Sequence, residues 1–230
     1  MDVVKGDRAH AVFQPVVALG TRALVGVQSW LRVGTATGAV GIGGLFTTAD
    51  PAQLLEWNRL AGEVAVRDCP PLDPAQWLMV KIDVASGRAA VTALARAVDA
   101  SPLRREQVVV EIGFSSASAT EAAEALATLA GARAHGLRTA VAAVTDARHL
   151  VPFLVAADVV KLARGLVQDG TDSAVEQVLG AAREAGLPTL AFGIEESSQL
   201  ERARALGVQW GQGSHIGAPT RPVDGRLPWQ

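Results

Sequence analysis

Thr189-Leu190-Ala191-Phe192-Gly193-Ile194-Glu195 begins as a short β-rich run and breaks at a glycine. Residues 197–206 then carry helical spacing, and Trp210-Gly211-Gln212-Gly213 opens a second β-rich run. A strand, a helix and another strand in close succession form a βα unit, the connection that parallel strands require. The same alternation extends along the chain. Strands are predicted at 11–15, 24–33, 77–82, 108–112, 138–143, 159–162, 189–192 and 210–213. Helices are predicted at 53–67, 91–100, 120–134, 145–155, 172–185 and 197–206. Asp50-Pro51 supplies an N-cap and a first-turn proline, and Gly136, Gly186 and Gly207 follow final helical turns. Eight strands with intervening helices predict α/β architecture with a closed, mostly parallel barrel.

Length and composition agree with that reading. The chain has 230 residues, within the range in which α/β barrels fold as one unit, so a single domain over 1–230 is expected. Hydrophobic residues make up 49% and charged residues 19%, which suits a large buried core rather than disorder. The net charge of −2 comes with mixed signs and no extended basic face, so nucleic acid is not an expected partner. No apolar run reaches the roughly 18 to 20 residues that cross a bilayer. The single cysteine, Cys69, excludes an intrachain disulfide, and Met1-Asp2-Val3-Val4-Lys5-Gly6 has no signal-peptide pattern; a cytoplasmic location is expected. The Gly/Thr-rich stretch 34–48 reads as a flexible loop and 220–230 as a flexible tail. High Ala, Val, Arg and Gly usage is compositionally that of a GC-rich bacterium.

In a βα barrel, reactive groups sit at the C-terminal ends of the strands and in the loops that follow. That rule selects Gln28, Arg32, Lys81, Glu111, Ala142, Ala143, Lys161, Phe192, Glu195 and Gln212.

These residues carry a family resemblance. Phe13-Gln14-Pro15-Val16-Val17, followed by residues 25–32, resembles the opening of EAL domains, the bacterial cyclic di-GMP phosphodiesterases. Val110-Glu111-Ile112 is similar to the family's Leu-Glu-Ile strand, and Val159-Val160-Lys161-Leu162 to its Ile-Lys-Ile-Asp strand. Residues 191–195 are similar to its Ala-Glu-Gly-Val-Glu turn, and Gln212-Gly213 with Pro219 to its closing segment. The matches extend over about 13–219. The resemblance implies an EAL-type modified TIM (β/α)8 barrel.

It also implies an activity that needs two divalent cations, held by carboxylates and an Asn, to activate water against a phosphodiester. The matching positions depart from that pattern. Glu-Ala-Leu reads Gln28-Ser29-Trp30, the ligand Asn falls at Lys81, the paired aspartates at Ala142-Ala143, and the turn's first Glu at Phe192. Only Glu111, Lys161, Glu195 and Gln212 stay in register, as family-position remnants with no catalytic role expected. Hard cations take oxygen ligands in nearly complete shells, so the Mg²⁺/Mn²⁺ site is expected to be lost, with no metal or cofactor.

Bland readings stand beside these. For Glu111, a bland reading as a polar strand end or an arginine's partner weighs equally with retained site function. A structural ion pair of Lys161 with Glu111 or Glu195 is favoured over catalysis, since lysine is seldom buried unpaired. Gln14, Arg32, Glu195 and Gln212 are the candidate ligand contacts; for Gln14 and Arg32, ordinary surface placement weighs equally. His10, His135, His149 and His215 have no metal-ligand spacing, and Trp30, Trp57, Trp77 and Phe192 are expected in the core or barrel mouth.

The expected function is a catalytically inactive EAL-like interaction scaffold in cyclic di-GMP-related signalling, with an unidentified protein as partner. The alternative is a non-hydrolysing cyclic di-GMP receptor; residual phosphodiesterase activity ranks third. Val144-Thr145-Asp146-Ala147-Arg148 lacks the glycines of the family's Phe-Gly-Thr-Gly loop, which puts metal-gated dimerisation in doubt and leaves a homodimer through the neighbouring helix open.

Overall fold

The computed structural model describes residues 9–35, 38–41, 50–113 and 119–229. Nine strands form one sheet: β1 (Ala9–Ala18), β2 (Leu24–Thr35), β3 (Gly38–Gly41), β4 (Trp77–Ile82), β5 (Val108–Gly113), β6 (Arg138–Val144), β7 (Val159–Leu162), β8 (Thr189–Phe192) and β9 (Trp210–Gln212). The order β1-β9-β8-β7-β6-β5-β4-β2 returns to β1 through the β1–β2 pairing, so these eight strands close a barrel. The short β3 pairs with β2 beyond the point where β4 leaves that edge.

All eight expected strands are present. One departs from the parallel pattern, because β1 runs antiparallel to both neighbours. The cause lies in residues 19–23. A parallel crossover needs a dozen or more residues, whereas this tight link turns back with Ala18 donating its N–H to the Ala23 carbonyl at 2.9 Å.

The helices are α1 (Pro51–Arg67), α2 (Gly87–Asp99), α3 (Ala119–Ala134), α4 (Ala147–Leu150), α5 (Arg164–Gln168), α6 (Asp172–Glu184) and α7 (Ser197–Ala205). Asp50 caps α1 as expected: its side chain accepts from the Gln53 N–H, and the Gln53 side chain accepts from the Asp50 N–H. Gly136, Gly186 and Gly207 all adopt the left-handed conformation that ends a helix. The helix expected over 145–155 is corrected. It stops after α4 and continues as a tighter 3-10 stretch, Val151–Ala156. Pro152 has no N–H to donate and disfavours a continuous α-helix.

Two apolar layers result from strand alternation. Outward side chains such as Leu78, Val80, Val110, Ile112 and Val160 share a core with Leu94, Leu129, Val178 and Leu179 from the helices. Inward ones, including Val16, Met79, Val109, Val159 and Leu190, fill the barrel above the Trp77–Trp210 ring contact. Gly26 lies against the Trp77 ring and carbonyl, where a Cβ would have no room. Trp57 packs on the outer core.

Two expected irregular segments prove more structured. In the Gly/Thr-rich stretch 34–48, Gly34 and Thr35 extend β2 and residues 38–41 form β3; residues 36–37 and 42–48 lie outside the described residues, as do residues 1–6. The segment read as a flexible tail is docked on the barrel. Thr220 and Phe13 exchange backbone hydrogen bonds of 2.8 and 2.9 Å, Val223 and Arg226 close a turn, and Leu227 is buried. Its composition hid this because a single buried side chain has no periodicity. Leu227→Ala is expected to lower unfolding free energy by about 2 kcal/mol in urea titration, whereas a loose tail would leave it unchanged.

Candidate functional site at the barrel mouth

The strand period places every second side chain inside the barrel. Above the apolar layer this brings Gln14 (β1), Gln28 (β2), Glu111 (β5), Lys161 (β7) and Gln212 (β9) to one level, all buried. Lys161 Nζ donates to Glu111 Oε2 at 2.8 Å and to Gln28 Oε1 at 2.7 Å. The Gln28 amide nitrogen donates to the same Glu111 oxygen at 2.6 Å. Gln212 Nε2 donates to Gln28 Oε1 at 2.8 Å and to Gln14 Oε1 at 3.1 Å. Gln14 Nε2 in turn donates to the Gly217 carbonyl at 3.1 Å. Gln212 Oε1 has no donor among the described residues.

An aromatic lid covers the layer. The Lys161 ammonium stands 4.5 Å from the centre of the Phe192 ring, a favourable place for a desolvated cation. Its charge is therefore met by a carboxylate, an amide oxygen and a ring face. Phe192 also touches Trp30, with ring centres 6.2 Å apart and planes tilted by 32°. Trp30 Nε1 is buried with no acceptor among the described residues. Burial pulls the Lys161 pKa below the ordinary lysine value; the Glu111 charge and hydrogen bond oppose that shift, and the Lys81 charge adds to it.

The remaining candidates lie outside this network. Lys81 is exposed at the end of β4, in register with Glu111. Ala142 is buried at the end of β6, where the β6–β7 register shifts between Val141 and Val144. Ala143 is exposed in the left-handed region at φ 60°. Arg32 is half-buried near the end of β2 and donates to the Leu31 carbonyl at 3.2 Å; burial lowers its pKa. Glu195 is exposed and pairs with Arg164 at 2.7 Å. The Lys161–Glu111 ion pair is thus the realised one, and Glu195 has a different cation.

Arg164 and Gln168 went unnoticed in the sequence because α5 is too short to show periodicity. Gln168 Nε2 donates to the Gly193 carbonyl at 2.8 Å. Gly193 is left-handed at φ 85° beneath the Arg164 side chain, so a side chain there would be strained and crowded. Gly213 similarly packs its Cα against the Ile194 backbone. These approaches hold the β8 turn against the end of β9. No group of three or more His, Cys, Asp or Glu side chains able to hold a metal ion occurs among the described residues.

A closed eight-strand barrel with one reversed strand and functional positions at its strand ends defines a modified TIM barrel. A family model described as EAL domain matches residues 2–219, and the chain belongs to the EAL domain family. Solved structures agree on the fold. The PaMucR phosphodiesterase in complex with c-di-GMP has a TM-score of 0.77 at 20% identity, covering 93% of this chain and 97% of that one. The Xanthomonas citri FimX EAL domain in complex with c-di-GMP has a TM-score of 0.80 at 18% identity, covering 98% and 92%. The Bacillus subtilis YkuI protein, in complex with substrate c-di-GMP and calcium, has a TM-score of 0.81 at 16% identity; the match covers 95% of this chain and 56% of that longer one. No curated protein matches the chain.

Three substitutions test this geometry. Lys161→Met leaves Glu111 buried without its cation and is expected to cost about 3 to 5 kcal/mol by urea denaturation. Lys161→Met with Glu111→Leu should recover most of that loss, giving a large coupling in the double-mutant cycle. Ala143→Asn, better suited to the left-handed region, should raise stability by about 1 kcal/mol; a loss would contradict the assigned backbone.

Proposed function

We propose that this EAL-family chain does not hydrolyse cyclic di-GMP and works as an interaction scaffold for another protein in cyclic di-GMP-related signalling. The observation that carries the first half is the Lys161–Glu111–Gln28 network. Glu111 is the carboxylate of the interior layer, and its Oε2 already takes two donors. A hard divalent cation beside it would compete with the Lys161 ammonium and find neutral amides where charged oxygens are needed. The donor set therefore does not suit the metal pair of the family's reaction. Without metal activation, a water at the mouth keeps a high pKa and is a poor nucleophile. On this reading the barrel keeps its fold without catalysis, and its surface is what remains for binding a partner. Among the described residues, no helix is long and apolar enough to cross a membrane.

A second reading, a receptor that binds cyclic di-GMP without cutting it, is favoured by the exposed Lys81 and half-buried Arg32 toward the ends of β4 and β2, and by the Trp30–Phe192 pair. Cations suit phosphates and aromatic faces suit guanine. The PaMucR and FimX structures hold c-di-GMP on this fold.

Purified chain incubated with cyclic di-GMP and Mg²⁺ or Mn²⁺ is expected to yield no linear dinucleotide by chromatography. Metal-dependent conversion that disappears in Glu111→Ala would overturn the proposal. Calorimetry of the same mixture, with and without Mg²⁺, separates the two readings. Absence of heat fits the scaffold, and metal-independent binding near 1 µM that is lost in Arg32→Ala establishes the receptor.

A further inference from the structure

Away from the barrel mouth, a cavity of about 260 Å³ opens between the β1–β2 turn, α7 and the segment after β9. Among the described residues its lining contains Arg22, Arg204 and His215 and no acidic residue, with Leu24, Ile216 and Trp229 among its apolar walls. Arg204 is oriented by its Nε donating to the Leu19 carbonyl at 2.9 Å. The rest of its guanidinium has no partner among the described residues, and neither has the Arg22 side chain. Both arginines also line the shallower depression on the other side of the turn, so they stand at a shared rim.

Two further features belong to the same cavity. Arg22 sits at φ 61°, a conformation that glycine adopts freely and a side-chain-bearing residue adopts under strain. Its side chain is exposed at the rim of the cavity. In addition, Trp229 forms part of the wall of the same cavity, with its Nε1 buried beneath that surface and without an acceptor among the described residues.

We propose that this cavity binds a small amphipathic carboxylate. The carboxylate lies between Arg22 and Arg204, whose planar guanidinium forks match its two oxygens. An aromatic or branched aliphatic body packs on Leu24, Ile216 and the Trp229 ring. A cavity of this volume suits a small organic acid. The site is separate from the barrel mouth, so it stands whichever reading of the mouth holds.

The test is an NMR titration of the full chain, following the Trp229 indole N–H, assigned with Trp229→Phe. The probes are 3-phenylpropionate, phenylacetate, the neutral 3-phenylpropanamide and inorganic phosphate. At least one carboxylate should shift the indole N–H with a Kd of about 1 mM or tighter, and the amide should not. Arg22→Gly relieves the backbone strain, so it should raise Tm while weakening carboxylate binding at least about tenfold. Arg204→Gln provides the second variant and should weaken it likewise. The proposal fails if both variants bind as the parent does or if the amide binds as well as the acid. It also fails if neither carboxylate moves the Trp229 signal, including the case in which phosphate alone does.

Discussion

The contact between the Lys161 ammonium and the Glu111 carboxylate inside the barrel governs the arrangement of the mouth. Moving two charges out of water costs several kcal/mol for each, and their attraction offsets this only with good geometry and further hydrogen bonds. The neighbouring side chains follow from that requirement. Gln28 turns its oxygen to the ammonium and its nitrogen to the carboxylate, which fixes its amide. Gln212 must then present its nitrogen to the Gln28 oxygen, and Gln14 its oxygen to Gln212. Phe192 closes the remaining side of the cation. The layer holds one positive and one negative group, so a carboxylate at position 28 or 192 would add an anion without a counter-charge.

The barrel was legible in the sequence because strand and helix periods differ and alternate cleanly from residue 77 onward. The antiparallel first strand was legible too in principle, since residues 19–23 are too few for a crossover. Pro152 likewise carried the signal that interrupts the helix at 145–155. For the site, the strand-end rule brought Glu111, Lys161, Gln28 and Gln212 into one set, because a fixed period of two decides which way each points. It did not place Glu195, whose position depends on Arg164 from another element. Nor could it reveal that Gln212 donates to both Gln14 and Gln28, which is a matter of three-dimensional packing.

Family membership describes the barrel, while the side chains at its mouth decide the chemistry it can perform. In this layer amides and one carboxylate surround the Lys161 ammonium and bind one another as a connected polar network.

The reversed first strand gives the cylinder a seam. β1 is held to β2 over nine paired positions but to β9 over two, and Thr220 adds its bridge to Phe13 farther along that sparsely paired edge. The joint therefore unites the beginning and end of the described chain, closing a loop of nearly its whole length at the largest entropic cost among the strand pairings. In kinetic terms the barrel is a curled ribbon fastened by a clasp, and a seam of such high contact order belongs to the late steps of folding. The segment after β9 is the pin of that clasp, covering backbone groups that would otherwise form an exposed sheet edge.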